Sequence, residues 1–482
     1  MTATPFFPAW RPRLARLGQH VHHLRPQSLM HLDRLFGSVL PSWLLAQTDE
    51  GPNSREQIYS VRRTFFGFLY QVLNPDCPCR EVVRQIQSLF ALFSSRRVSE
   101  GTGAYCVARA RLPLEILARL RCAVAAHAGK AEALWMGFRV RVLDGTAVSM
   151  PDTAKNQRAY PQSAEQKPGC GFPFMKIVGI FSLSTGVLLD YARGNKYQHE
   201  LSLLHRLVDV FKRGDLVLAD RGFNCYTLLA LLWRKNVPAL MRLHHARSGD
   251  LRRGKRLGKH DRLIVWRKPQ NWERRYIPLR LWKCLAPELP VRILRYRLHR
   301  AGFRTRSVTL VTTLLEPKLY PAEQLALLYA RRWQIELWFR DLKTSMGMNV
   351  LRCQSPKMIH KELEMFFIAY NLIRCLMIQA SRDYQVDLHR LSFQGTVDST
   401  RQFSAALAQA RSGKSQKQLI RNLLQAIAAD LVPFRPGRRE PRAVKRRPNP
   451  CAYLTKPRHK FKDAQHRNRY WKNNPRKTKG PI

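Results

Sequence analysis

Three acidic residues occur at positions that a fold could bring together. Asp144 follows a short β-branched and apolar run, Phe138 to Leu143, in the order Leu-Asp-Gly-Thr. Asp220 follows the all-apolar run Leu216 to Ala219, of the kind buried on both faces of a sheet, and opens Asp-Arg-Gly-Phe. Glu336 lies inside the long helical run from Pro321 to Met346. If the strands before Asp144 and Asp220 lie side by side, both carboxylates meet at one strand end, and a helix laid over the sheet adds the third. Carboxylates held close repel one another unless a cation sits between them. Mg²⁺ meets that need, because it takes oxygen ligands and keeps waters that a phosphate replaces. Two such ions activate an attacking water or 3′-hydroxyl and stabilise the leaving oxygen of a phosphodiester. Singly, each residue has an ordinary reading. Asp144 can form a turn, Asp220 can cap a helix, and Glu336 can pair with a neighbour on a solvated face.

The element that must place Glu336 is well marked. Pro321 suits a first helical position and Gly347 suits a stop. At about 100° per residue, Leu328, Ile335, Phe339, Leu342 and Met346 form one apolar stripe, the expected core face. Tyr329, Arg332, Glu336 and Lys343 fall together on a neighbouring face.

Composition narrows the partner. The chain has 482 residues and 45% hydrophobic content, enough for several domains with sizeable cores. It carries 84 Lys plus Arg against 33 Asp plus Glu, a formal net charge of +51. That excess calls for a polyanion, and nucleic acid is the usual one. Ten cysteines are scattered without zinc-ribbon spacing, which suggests reduced thiols in a cytoplasmic protein. The start has no signal-peptide order. The most apolar stretch, Met365 to Ala380, is interrupted by Asn371 and Arg374, so it reads as a core helix and no membrane partner is expected.

Along the chain, residues 1–57 form a basic N-terminal segment. Residues 58–130 are helical throughout, a basic all-α module suited to binding DNA. Residues 137–245 alternate strands and helices: a three-strand meander, a helix over Gln198 to Phe211, the strand before Asp220, a helix from Tyr226, and a strand from Ala239. That order predicts an α/β mixed sheet, which residues 307–385 complete. Residues 246–306 are Arg-rich, hold Trp266, Trp272 and Trp282, and read as a β-rich insertion, with core roles expected for the tryptophans. Further helices fill 386–432, and 433–482 is a basic tail expected to be disordered when free.

The sequence Leu-Asp-Gly-Thr at Asp144, Ala-Asp-Arg-Gly-Phe at Asp220, and Tyr329-x2-Arg332-x3-Glu336-x6-Lys343 resemble the DDE transposases of bacterial insertion sequences. More narrowly they are similar to the insertion-sequence-four family, named by its Tyr-Arg-Glu-Lys signature. The likeness spans roughly residues 60 to 385. It implies a ribonuclease-H-like core with a β insertion between the second Asp and the Glu. It implies that Asp144, Asp220 and Glu336 are the catalytic and metal-binding residues, with Mg²⁺ as cofactor and Mn²⁺ able to substitute. It also implies that Tyr329, Arg332 and Lys343 contact the transposon end. The partners implied are double-stranded DNA, both terminal inverted repeats and target, held by a homodimer on paired ends in the bacterial cytoplasm and nucleoid. In that family the ends are cut through a hairpin. A Trp of the insertion stacks on a flipped base in some relatives, and none of the three here aligns with it. The rival readings are a related nuclease that cuts without joining, and a non-catalytic basic DNA-binding protein of transposase descent.

Overall fold

The computed structural model describes residues 31–45, 58–93, 97–167, 169–244, 251–272, 277–297, 307–410, 412–433 and 460. Most of the basic N-terminal segment, parts of the insertion and nearly all of the 433–482 tail lie outside the described residues.

Five helices come first: α1 (His31–Phe36), α2 (Val61–Leu73), α3 (Cys79–Phe93), α4 (Gly103–Arg111) and α5 (Leu114–Gly129). Ser60 caps α2 by accepting from the Arg63 N–H. On α3, Val82, Val83 and Ile86 recur at helical spacing and are all fully buried.

The sheet follows. Strands β1 (Arg139–Ser149), β2 (Phe174–Ser182) and β3 (Leu188–Gly194) form an antiparallel meander. Strands β4 (Asp215–Ala219) and β5 (Ala239–Arg242) add in parallel on the other side of β1. Beyond β5 come β6 (Lys255–Gly258), β7 (Asp261–Arg267), β8 (Glu288–Arg297) and β9 (Ser307–Thr312), giving nine strands in the order β3-β2-β1-β4-β5-β9-β8-β7-β6. The described strands of the 246–306 stretch thus extend the same sheet. Trp266 and Trp282 are buried in its core, whereas Trp272 is 39% exposed.

Sequence pattern places the first strand's end at Asp144, but β1 runs on to Ser149. The reason is pairing on one side only. Strand β2 stays in register through Ser149↔Phe174, while β4 stops at Leu143↔Ala219. The polar loop after β1 also holds a short helix, α6 (Ala154–Ala159), capped by Thr153. The helix expected over Gln198 to Phe211 shortens to α7 (Glu200–His205) and a separate turn at Val208–Val210.

Alternation along the strands feeds two cores. Leu143, Val217 and Ala219 pack with α7 and α8 (Tyr226–Arg234) on one face. The other strand face carries Val142, Val148, Leu216 and Leu218. There the sheet meets α9 to α14 only in part: α9 (Leu279–Lys283) lies with the first core, while α10 (Ala322–Ala330), α11 (Gln334–Arg340), α12 (Pro356–Asp383), α13 (Phe393–Gln409) and α14 (Gly413–Ala429) join the second. The apolar core of α1, α2 and α5 is continuous with this second cluster.

Helix α12 is long and apolar enough to cross a membrane, yet 83% of its apolar window is buried inside the fold. Its polar groups tie it to the meander. Asn371 both donates to and accepts from the Leu188 backbone, and the Tyr370 hydroxyl donates to the Gly186 carbonyl. Gly186 turns the chain at φ +70, and a Cβ there would lie 2.5 Å from an Arg374 nitrogen, so no other residue fits.

A buried ion cluster joins α5, β3 and α12. Arg121 meets Glu364 and Asp190, each at 2.9 Å, and Tyr191 donates to Glu364. Arg121 and Glu364 side chains are only 6% and 4% exposed. Glu364→Ala removes one of the two carboxylates that Arg121 meets and should lower unfolding free energy by about 2–3 kcal/mol in urea titrations. The double change Arg121→Met with Glu364→Leu should recover most of that. Equal losses in single and double variants would show that the pair is not what the helix depends on.

Candidate active site

The stretch from Pro321 to Met346 is helical, as its pattern predicts, but it is not one α-helix. After α10 comes a tight 3₁₀ turn at Arg331–Trp333, then α11, then a wide π turn at Asp341–Ser345. The π turn closes through the Met346 N–H to the Asp341 carbonyl. Asp341 is buried there, and desolvation pushes its carboxyl up to about 6 against the pull of Arg374 and Arg340. Gly347 ends the run at φ +80. The expected core stripe holds through both changes of pitch: Leu328, Ile335, Phe339, Leu342 and Met346 are all buried.

After Gly347 the chain returns to β1. The Ser149 N–H donates to the Asn349 carbonyl, and the Leu351 N–H donates to the Ser149 carbonyl. One edge of β1 is therefore covered by β4 up to Leu143 and by residue 350 at Ser149, with a notch between. Asp144 stands at the notch. It shares a sheet face with Val142 and Val148, the face covered by α11. Asp220 follows the last residue of β4, beside it.

Glu336, from α11, faces this notch. Arg332 lies between the carboxylates, donating at 3.2 Å to Asp144 and at 3.0 Å to Glu336. Its side chain is 12% exposed, so this is no solvated surface pair. Asp144 is raised to about 6, first by desolvation and then by the neighbouring charges of Asp220 and Glu336. The Gly145 N–H and Arg332 pull the other way. Asp144 thus feels the charges of both other carboxylates.

The remaining predicted residues lie alongside. Tyr329 is buried, and desolvation raises its hydroxyl pKa. Lys343 extends to Thr146 at 3.4 Å, and burial lowers its pKa. Two residues at the site carried no sequence signal of their own. Thr146 belongs to the Asp-Gly-Thr run, but only the structure gives it Lys343 as a partner. Glu200, the first residue of α7, packs its carboxylate where a Cβ on Gly145 would stand, 2.5 Å away. A larger residue after Asp144 would have to push this carboxylate aside.

Among the described residues, no three His, Cys, Asp or Glu side chains stand in direct gripping distance of one ion as they lie. Two features nevertheless fit a divalent cation. The donors are hard carboxylate oxygens, and a guanidinium occupies the space between two of them as a stand-in charge.

Comparison with known proteins adds the following. The family described as "Transposase DDE domain" matches residues 135–372. Transposase InsG for insertion sequence element IS4, from Escherichia coli (strain K12), is 26% identical over 382 residues, 77% of this chain and 82% of the relative. A probable transposase for insertion sequence element IS5377 of Geobacillus stearothermophilus is 32% identical over 88 residues, 18% of this chain and 22% of its own. Among solved structures, a piggyBac transposase synaptic complex with hairpin DNA overlays with TM-score 0.40 and 8% identity, over 85% of this chain and 86% of that one, too loosely to argue from.

The raised Asp144 pKa has a sign that can be tested. Its folded value, about 6, lies above its free value of 3.8, so folding favours the protonated form. The stability this contributes is full below 3.8 and is lost as pH rises through about 6. In metal-free buffer, Asp144→Asn should therefore melt higher than the parent above that range, by about 1–3 kcal/mol, with the gain vanishing near pH 4. A gain independent of pH would place its origin elsewhere.

Proposed function

Because this chain is a DDE transposase of the insertion-sequence-four family, we propose that Asp144, Asp220 and Glu336 hold its divalent cations, Mg²⁺ with Mn²⁺ as substitute. The enzyme cuts and joins DNA, and this reading places both steps in one site. What carries it is the approach of three carboxylates, from the middle of β1, the end of β4 and a covering helix, to one notch, with Arg332 between two of them. When bound, the cations supply an activated attacking oxygen and charge for the leaving one.

The protein's own residues do the rest. Asp144 and Asp220 are fixed by adjacent strands, so their separation is set by the sheet. Glu336 rides on α11 and follows that helix. Arg332, which donates to Asp144 and Glu336, would grip a phosphate at two points through its planar fork if cations took over the carboxylates. Tyr329 and Lys343 flank it on the transposon end, and Lys343 meets a second phosphate as a point charge. The strands β3-β2-β1-β4-β5 read as a ribonuclease-H-like core, and β6–β9 as the elaboration of its far edge. We assign terminal-inverted-repeat recognition to the 58–130 helices and a sequence-independent grip to the basic tail. Two copies holding paired ends, in the bacterial cytoplasm at the nucleoid, complete the reading, with hairpin formation during excision.

Asp144→Asn, Asp220→Asn and Glu336→Gln should each abolish Mg²⁺-dependent cleavage and joining of an inverted-repeat end, with DNA affinity unchanged or slightly higher. Residual cleavage in any one of them removes that residue from the site. A product cut but never joined would mark a nuclease instead.

Arg332→Ala should slow single-turnover cleavage of pre-bound DNA by at least about tenfold, equivalent to on the order of 2 kcal/mol of transition-state stabilisation. Arg332→Lys should recover only part of it. Without its stand-in cation, the Arg332→Ala protein should also gain more melting temperature from added Mg²⁺ than the parent does. If cleavage stays normal in both Arg332→Ala and Lys343→Ala, this face plays no part in the chemistry.

A further inference from the structure

A second cationic pocket lies at the edge of the sheet, away from the carboxylates. It is a cavity of about 520 Å³ at β3, the outermost strand of the meander. Arg193, Arg206, Tyr160, His360, Asn195 and Gln198 line it. Arg193 donates to the Tyr191 hydroxyl at 3.3 Å, and its other terminal nitrogen lies 3.3 Å from a His360 ring nitrogen. Arg206 donates to the Arg193 carbonyl at 3.3 Å. None of these partners is an anion. Asp190 also borders the cavity, but Arg121 already pairs with it at 2.9 Å. Among the described residues neither Arg193 nor Arg206 has a carboxylate within ion-pair distance, unlike Arg121, Arg141 and Arg292 in the buried core.

The second ring nitrogen of His360 meets the Tyr160 hydroxyl at 2.7 Å. Burial and Arg193 hold that imidazole down at about 4, so it is neutral and does not add to the repulsion. The result is two guanidiniums with spare donors around a polar space. Arg193, half-buried and without a counter-charge, is costly to hold there unless an anion completes it. The donors present, planar forks and amides, suit the oxygens of a phosphate.

Strand register gives the pocket its bearing. Asp144 lies opposite Gly179, which lies opposite Tyr191, and Thr146 lies opposite Ile177, which lies opposite Arg193. Directly paired residues share a face, so Arg193 stands on the face of Asp144 and Thr146. Two strand spacings put it about 10 Å across the sheet from Thr146, the residue that Lys343 touches. We propose that the Arg193–Arg206 pocket seats a backbone phosphate of the bound DNA, a short way along from the bond at the carboxylates. The proposal rests on the transposase reading above for its substrate, and it fixes the direction in which the DNA leaves the site, over β2 and β3.

The test uses the full chain and a plain duplex of mixed sequence. Arg206 is exposed, so Arg206→Ala should fold, which a melting curve checks. Phosphate contacts are independent of sequence and release counterions. Arg206→Ala should weaken duplex binding by about fivefold at moderate salt and lower the slope of log affinity against log salt by about one. Arg193→Gln with Arg206→Ala should lower the slope by about two. Lys417→Ala, on the exposed face of α14, is the control and should leave the slope unchanged. Line broadening of inorganic phosphate in ³¹P spectra is the second arm. Phosphate broadened by the parent but with the duplex slope unaffected would make this a small-anion pocket and overturn the DNA assignment. An unchanged slope with no phosphate broadening would overturn the site altogether. Mg²⁺-dependent cleavage of an inverted-repeat end by the same variants reports the carboxylate site separately, so loss of one reading does not disguise loss of the other.

Discussion

Electrostatic repulsion among Asp144, Asp220 and Glu336 is the constraint around which this protein is arranged. Three carboxylates are worth holding together only if something positive will come between them. The fold meets that cost in three ways. Two of the acids are anchored on neighbouring parallel strands, where they cannot drift apart. The third is carried on a helix clamped by a buried apolar stripe. Arg332 then fills the space between with a permanent charge. The surrounding sheet exists at this point as a deliberate interruption: β1 keeps a partner on one edge and loses it on the other at the residue before Asp144.

Much of this was legible in the sequence. The apolar run before Asp220 named a buried central strand, and the 3.6-residue stripe through Leu328, Ile335 and Phe339 named the face of the covering helix. Both signals are local, set by hydrophobic periodicity that tertiary packing later respects. What was not legible depends on pairing partners. No pattern in Leu-Asp-Gly-Thr says that β1 continues past Asp144, because the continuation is decided by β2 and residue 350. Nor does composition announce the 3₁₀ and π turns around Glu336, which arise where Asp341 is drawn into the core. The Arg332 contact to Asp144 joins residues 188 apart in the chain and is visible only when the two segments meet. Nor does the Asp-Gly-Thr run announce that the Glu200 carboxylate packs against its glycine, again a matter of who arrives from elsewhere.

The helices outside the sheet are less separate than a linear reading makes them. Helix α12 holds the meander by side-chain bonds to Thr185, Gly186 and Leu188, and holds α5 through the Arg121 cluster. Strain or motion in the N-terminal helices is therefore felt at the β2–β3 turn through a few stiff, buried polar ties, and not through a flexible linker. The same helix brings His360 to the edge pocket, so one element touches the meander, the N-terminal helices and the second cationic site.

The order of strands in the sheet also bears on how the enzyme comes into being at the ribosome. Strand β5 finds its outer neighbour, β9, only after the whole 243–306 stretch has been made. Until then its edge is open while the growing chain emerges, and long-range pairing of this kind is slow. Glu336 appears later still. A nascent molecule thus displays Asp144 and Asp220 before Arg332 and Glu336 have been made. The three acids come together only once the covering helix has followed β9 out of the ribosome.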